Sequence, residues 1–262
     1  MDNEKSFIAL IEKSIRKNWD LDALTDYKGT TLQYKDVARK IEKLHIMFEE
    51  SGVKPGDKIA VCSRNMSNWG VTFLATVTYG AVIVPILHEF KADQVHNIVN
   101  HSEAKLLFVG DVVWESLDES VMTNLEGIIL LNDFSVLVSR NEKLTHARQN
   151  LNALFGQKYP MNFRKEHVNY YKDSADELLV LNYTSGTTSF SKGVMLPAKS
   201  MWSNIMFGHE KLGKCLKAGD SIVSMLPMAH MYGLAFEFLF EFCSGCHIFF
   251  LTRMPSPKII LQ

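Results

Sequence analysis

The chain has 262 residues, 47% hydrophobic and 22% charged, with a net charge of −1, enough for a substantial core in one large domain or two sub-domains and an ordinary balance for a globular α/β protein. Near-neutral charge with no basic, aromatic-interleaved patch excludes nucleic acid as an expected partner. The acidic start Met1-Asp2-Asn3-Glu4-Lys5 is not a secretory signal, no apolar stretch reaches membrane-spanning length, and four scattered cysteines suit a reducing cytoplasm.

In chain order, Phe7, Ile8, Ile11 and Ile15 recur at helical spacing, as do Val37, Ile41, Leu44 and Phe48. Lys58 to Ser63 reads as a buried strand, Trp69 to Tyr79 as a helix ended by Gly80, and Val82 to Ile86 as a strand. Asp93 to Asn100 reads as a helix with Val95, Ile98 and Val99 facing inward. Strands are expected at 105–109 and 127–131, then a polar helix-and-loop insertion over 140–172. A strand at 178–183, a short strand near 193–196, a helix at 200–212, a strand at 220–225, a helix at 230–241 and a strand at 246–251 complete the series. Alternation of β and α implies largely parallel sheets covered by helices. The expected division is a first α/β sub-domain over 1–172 and part of a second over 173–262.

Chemistry concentrates in Tyr183-Thr184-Ser185-Gly186-Thr187-Thr188-Ser189-Phe190-Ser191-Lys192-Gly193-Val194. An apolar strand empties into a loop of hydroxyls and glycine, and one lysine follows. Gly186 lets the backbone approach an anion closely. The hydroxyls of Thr184, Ser185, Thr187 and Thr188, with successive backbone N–H groups, can donate to phosphate, and Lys192 adds a compact positive charge. The spacing is not that of G-x-x-x-x-G-K-[ST]: Ser191 stands where the second glycine belongs, and Gly193 follows the lysine. A plain Ser/Thr-rich turn is the bland alternative.

The run resembles the signature loop of adenylate-forming enzymes, the superfamily of acyl-CoA synthetases, luciferases and peptide-synthetase adenylation domains, whose usual form is Tyr-Thr-Ser-Gly-Thr-Thr-Gly-x-Pro-Lys-Gly-Val. It departs at Ser191 and at Ser189, where the family has glycine; a serine forced to positive φ there would cost roughly 1–3 kcal/mol. Four further segments resemble family motifs in family order: Thr31 to Val37, Gly52 to Val61, Tyr79 to Ile86, and Leu226 to Gly233, the last carrying P-x-x-H-x-x-G as Pro227, His230 and Gly233.

The resemblance, strongest to the N-terminal part of a long-chain fatty acyl-CoA synthetase, implies formation of an acyl-adenylate from a fatty acid and ATP, then of a thioester with coenzyme A. It implies that Thr184 to Thr188 and Lys192 hold phosphates, that Thr184 helps ligate Mg2+, and that His230 orients the substrate carboxylate. The family's Tyr-Gly-x-Thr-Glu and Thr-Gly-Asp motifs and its C-terminal lysine domain do not occur in these residues, so the chain is expected to be inactive without the remaining portion of such an enzyme. A non-catalytic nucleotide-binding module or a degenerate relative is the alternative. Peripheral membrane contact and pairing with a second copy through an exposed sheet edge stay open. His230 alone could be a capping or core histidine. His88, His96 and His101 show no metal-ligand spacing and read as surface residues. Cys243-Ser244-Gly245-Cys246 reads as buried thiols around a turn glycine rather than a redox or zinc pair.

Overall fold

The computed structural model describes residues 5–184 and 192–251. In order these form α1 (Phe7–Lys17), β1 (Asp22–Asp26), β2 (Thr31–Gln33), α2 (Tyr34–Ser51), β3 (Lys58–Cys62), α3 (Ser67–Tyr79), β4 (Val82–Ile86), α4 (Ala92–Ser102), β5 (Leu106–Val109) and α5 (Asp111–Trp114). They continue through β6 (Gly127–Leu130), β7 (Val136–Ser139), α6 (Glu142–Gln149), α7 (Leu151–Lys158), β8 (Leu178–Thr184), β9 (Lys192–Pro197), α8 (Ala198–Leu212) and β10 (Ser221–Ser224). The last are α9 (Met231–Leu234), a π-helical turn at Ala235–Leu239, α10 (Phe240–Ser244) and β11 (His247–Phe250).

The larger sheet has the order β7-β6-β5-β3-β4-β8-β9. Its five central strands run parallel, and both edge strands are antiparallel. Strand residues alternate between two cores. Ile59, Val61 and Phe108 join one apolar cluster, and Ala60, Cys62 and Leu107 join the other, as expected of a parallel sheet covered on both faces. The smaller sheet, β10-β11-β1-β2, is parallel except for β2. Its Ala23, Leu24, Ile248 and Phe250 belong to the first cluster, so one core lies between the two sheets. Both sheets draw strands from either side of residue 172.

Helix α3 fills that shared core. Trp69, Val71, Phe73, Leu74, Ala75 and Val77 are buried, and so are Thr72, Thr76 and Thr78. A helix apolar all round belongs between layers rather than on a surface. The threonines cost little there because their hydroxyls donate one turn back, Thr72 to Asn68, Thr76 to Thr72 and Thr78 to Leu74, at 2.6–2.8 Å. The helix stops at Gly80, which is left-handed at φ 87°, with the Tyr171 ring packed where a Cβ would lie.

Thr31 to Val37 spans β2 and the start of α2, where Asp36 accepts from the Gln33 N–H at 3.0 Å. In the Gly52-to-Val61 segment, Asp57 accepts from the Lys54 N–H and pairs with Lys105 at 2.8 Å, which fixes the turn into β3. The strands β1, β2 and β7 go beyond the sequence reading, as does the π-helical turn inside the single helix expected over 230–241.

Candidate functional site

Strand β8 brings Thr184 to the carboxyl edge of the larger sheet. It pairs with β9 so that Asn182 faces Val194, Tyr183 faces Gly193, and Thr184 faces Lys192. Thr184 and Lys192, both exposed, therefore stand opposite each other at the mouth of a hairpin, with β-carbons roughly 4.5–5.5 Å apart by strand geometry. Ser185, Gly186, Thr187, Thr188, Ser189 and Ser191 lie outside the described residues. Lys192 has no ion pair among the described residues, so its ammonium is free to meet an anion.

The base of the hairpin is rigid. Tyr183 is 4% exposed, and its hydroxyl meets His101 Nδ1 on α4 at 2.6 Å. Burial pushes its phenol upward, which keeps it neutral. Gly193 lies against the same ring: an added Cβ would stand 3.2 Å from Tyr183 and from Leu181. His101 is exposed, as read from the sequence, yet it bonds to Tyr183, the residue before Thr184. His96 accepts from the Asp118 N–H at 3.0 Å. His88 is half-buried rather than a free surface group, and burial lowers its pKa.

His230 sits on a turn held from several sides. Asn65, just after β3, donates to the Leu226 carbonyl at 2.7 Å and accepts from the Met228 N–H at 2.8 Å. Asn182, on β8, donates to the Ala229 carbonyl at 3.0 Å. One Glu237 carboxylate oxygen, in the π-helical turn, accepts from both the Met225 and Leu226 N–H groups at 2.7 Å. Gly233 lets this turn close, since a Cβ there would lie 2.5 Å from the Pro227 carbonyl oxygen. This gives P-x-x-H-x-x-G a steric meaning. Exposed His230 is the N-cap of α9, its Nδ1 accepting from the Tyr232 N–H at 3.3 Å. That bond favours the tautomer with its proton on Nε2, the nitrogen left to meet a ligand. The Asn182–Ala229 bond brings the hairpin and the His230 turn side by side.

Beside His230 runs an aromatic series, Tyr232 to Phe236 at 5.3 Å and Phe236 to Phe207 of α8 at 6.2 Å between ring centres. Tyr232 is 57% and Phe207 54% exposed, so apolar surface adjoins the polar turn. A π-helical segment at this place fits the tendency of such turns to occur at functional sites. On the same carboxyl edge, a cavity of about 540 Å³ opens between β3 and β5, lined by Ser63, Arg64, His88, Gly110 and Asp111 among others. The connections from β3 and β5 leave in opposite directions there, the place where open α/β sheets take ligands.

Among the described residues no group of three His, Cys, Asp or Glu side chains is placed to hold a metal ion. The Cys243–Cys246 turn is structural. Its carbonyls at Phe242 and Cys246 accept from Ser14 and Tyr34, Gly245 is left-handed, and burial raises both thiols, Cys246 to about 11.

The family description AMP-binding enzyme matches residues 11–262. The chain belongs to the AMP-binding enzyme family. It is 28% identical over 226 residues to long-chain-fatty-acid–CoA ligase 1 of Cavia porcellus, covering 82% of this chain and 31% of that protein. It is 24% identical over 263 residues to the probable 4-coumarate–CoA ligase 3 of Dictyostelium discoideum, covering 98% of this chain and 47% of that one. The chain thus spans about a third to a half of these relatives. Its fold matches the inhibitor-bound N-terminal domain of FACL13 from Mycobacterium tuberculosis with a TM-score of 0.76, 18% identity, and coverage of 97% and 59%. ATP-bound MatB from Rhodopseudomonas palustris gives 0.73, 20%, 97% and 47%. No helix among the described residues is long and apolar enough to cross a membrane.

Proposed function

We propose that this chain forms the ATP-binding and acyl-binding part of a cytoplasmic acid–thiol ligase that acts on long-chain fatty acids. The observation that carries the reading is the facing of Thr184 and Lys192 across the hairpin mouth, one bonded residue away from the turn that presents His230. In this reading Thr184, Ser185, Gly186, Thr187, Thr188 and Lys192 hold the β- and γ-phosphates, as a hydroxyl-rich loop with one ammonium is suited to do. His230 donates from Nε2 to the fatty carboxylate, and the Tyr232–Phe236–Phe207 series takes the start of the acyl chain.

The carboxylate oxygen attacks the α-phosphorus of ATP, and the bond to pyrophosphate breaks. The thiol of coenzyme A then attacks the acyl carbon, and AMP departs with the bonding pair. The barrier to the first step is charge repulsion, which aligned N–H, hydroxyl and ammonium donors reduce. The exposed Thr184 hydroxyl is a hard oxygen donor of the kind Mg2+ takes beside phosphates and water, and the ion when bound supplies further neutralisation of the phosphates.

Because the chain spans only part of its relatives' lengths, the second reading is a module that binds ATP and leaves chemistry to a further polypeptide portion. The test is calorimetry with ATP together with AMP formation from ATP and palmitate. ATP binding lost in Lys192→Met supports the site. AMP production by this chain alone would overturn the expectation that catalysis needs a further portion, and absence of ATP binding sinks both readings.

A further inference from the structure

Consecutive residues hold the end of β8 from opposite faces of its sheet. Asn182 reaches the His230 turn and Tyr183 reaches α4, as the alternation of a strand requires. Both lie beyond the Val180–Ile83 bridge that joins β8 to its inner neighbour β4. On the other side β9 is an edge strand, and its Lys192, Gly193, Val194 and Met195 are all exposed. Among the described residues, the bonds to Ala229 and His101 are the side-chain hydrogen bonds that this end of the strand pair makes. The place of Thr184 opposite Lys192 therefore depends on them.

The Tyr183 side chain engages both strands. Its ring packs across Gly193, the residue it faces on β9, where an added Cβ would lie 3.2 Å from the ring. An aromatic side chain covering a glycine on an edge strand is a recognised way to pin strand pairing. The far end of that ring meets His101 Nδ1 at 2.6 Å, and the imidazole stands edge-on to it, with centres 5.7 Å apart and planes at 89°. A phenol hydroxyl can donate or accept, so the bond forms with either imidazole tautomer. Helix α4 is a firm base for it. Val95, Ile98 and Val99 are buried, and Asn100, next to His101, donates to the Val121 carbonyl at 2.8 Å. His101 itself bonds to neither Thr184 nor Lys192 among the described residues.

We propose that His101 is a positioning residue: through Tyr183 it sets the spacing of Thr184 and Lys192, and so the affinity of that pair for a nucleotide's polyphosphate. The inference rests on the reading that these two residues hold the β- and γ-phosphates of ATP.

The experiment compares the parent chain with His101→Ala, His101→Asn, Tyr183→Phe and the double variant His101→Ala/Tyr183→Phe, by calorimetry with ATP and by amide exchange. His101→Ala and Tyr183→Phe are each expected to weaken ATP binding roughly 2–10-fold, the worth of one hydrogen bond. The double variant should lose no more than either single one, because both remove the same bond. His101→Asn, whose amide lies as many bonds from the backbone as Nδ1 does, is expected to restore the parent affinity. Exchange at residues 183–184 and 192–194 should quicken in His101→Ala but not in His101→Asn, with α2 unchanged in both. If His101→Ala melts early, Tyr183→Phe, which keeps the ring, carries the comparison. A parent chain that binds no ATP overturns the phosphate reading, and the exchange comparison then still decides whether His101 braces the strands. Unchanged ATP affinity in both single variants, additive losses in the double variant, or exchange that stays the same at 183–184 and 192–194 would overturn the proposal.

Discussion

The buried side-chain amide of Asn182 donates to the Ala229 carbonyl 3.0 Å away, joining the strand that carries Thr184 to the turn that carries His230. Replacement by alanine leaves that carbonyl unpaired in a site 5% exposed. Asn182→Ala should cost roughly 1–3 kcal/mol in urea unfolding. It should also speed amide exchange at residues 229–231 more than in α2. Unchanged exchange there would show that the turn is held without this bond.

Gly233 offers a steric test. Gly233→Ala places a methyl group 2.5 Å from the Pro227 oxygen, and backbone cannot give way cheaply. A loss of roughly 1–3 kcal/mol is expected, together with weaker ATP binding if the His230 turn borders the nucleotide. Gly156→Ala, in α7 with nothing within 4 Å, should gain about 0.5–1 kcal/mol. Equal effects at the two positions would refute the steric account.

Lys192 is exposed and unpaired among the described residues, so its removal should affect binding and not folding. Lys192→Met should weaken ATP affinity by at least ~10-fold, the loss of one charge-assisted contact, with an unchanged melting temperature. Retained affinity would move the phosphate site away from this hairpin.

Two buried groups set opposite pH trends. Burial, with Glu237 adding to it, raises Glu241 to about 7. The folded state therefore holds its proton more tightly than the unfolded chain does, and the resulting stability is complete below about pH 4.5 and lost as pH rises through about 7. Glu241→Gln should remove that slope and stabilise the protein at pH 8 by on the order of 2–3 kcal/mol. Burial lowers His45 to about 4, so its contribution is present above about pH 6.5 and lost as pH falls toward 4. His45→Gln should flatten the acid limb of a melting-temperature profile. A flat parent profile from pH 4 to 8, with neither variant altering it, would contradict both assignments.

Elements with strong periodicity or continuous apolar runs were legible in the sequence: α2, α4 with its inward Val95, Ile98 and Val99, the central strands β3, β4 and β5, and the Gly80 stop. Strands β1 and β2 were not, because three- to five-residue segments take their identity from partners elsewhere, and β1 pairs with residues more than 200 positions away. Strand β7 is half-exposed at an edge and lacks a clear alternation. The candidate site was legible as residue types at Thr184, Lys192 and His230. Its supports at Asn65, Asn182 and Glu237 were not, since an amide or carboxylate that holds a distant backbone carries no local signal.

The pairing of β1 with β11 bears on how the chain is made. Residues 22–26 leave the ribosome early, yet their parallel neighbour, 247–250, is synthesised last among the described strands. The larger sheet can assemble from local β-α-β units as translation proceeds, while β1, paired so far only with β2, waits for β11 and exposes Ala23 and Leu24 in the meantime. Closing so long a loop is slow. Chaperone demand should therefore persist until β11 emerges, and ribosome-bound chains ending before residue 247 should stay protease-sensitive at residues 22–33 while β3 to β5 are already protected.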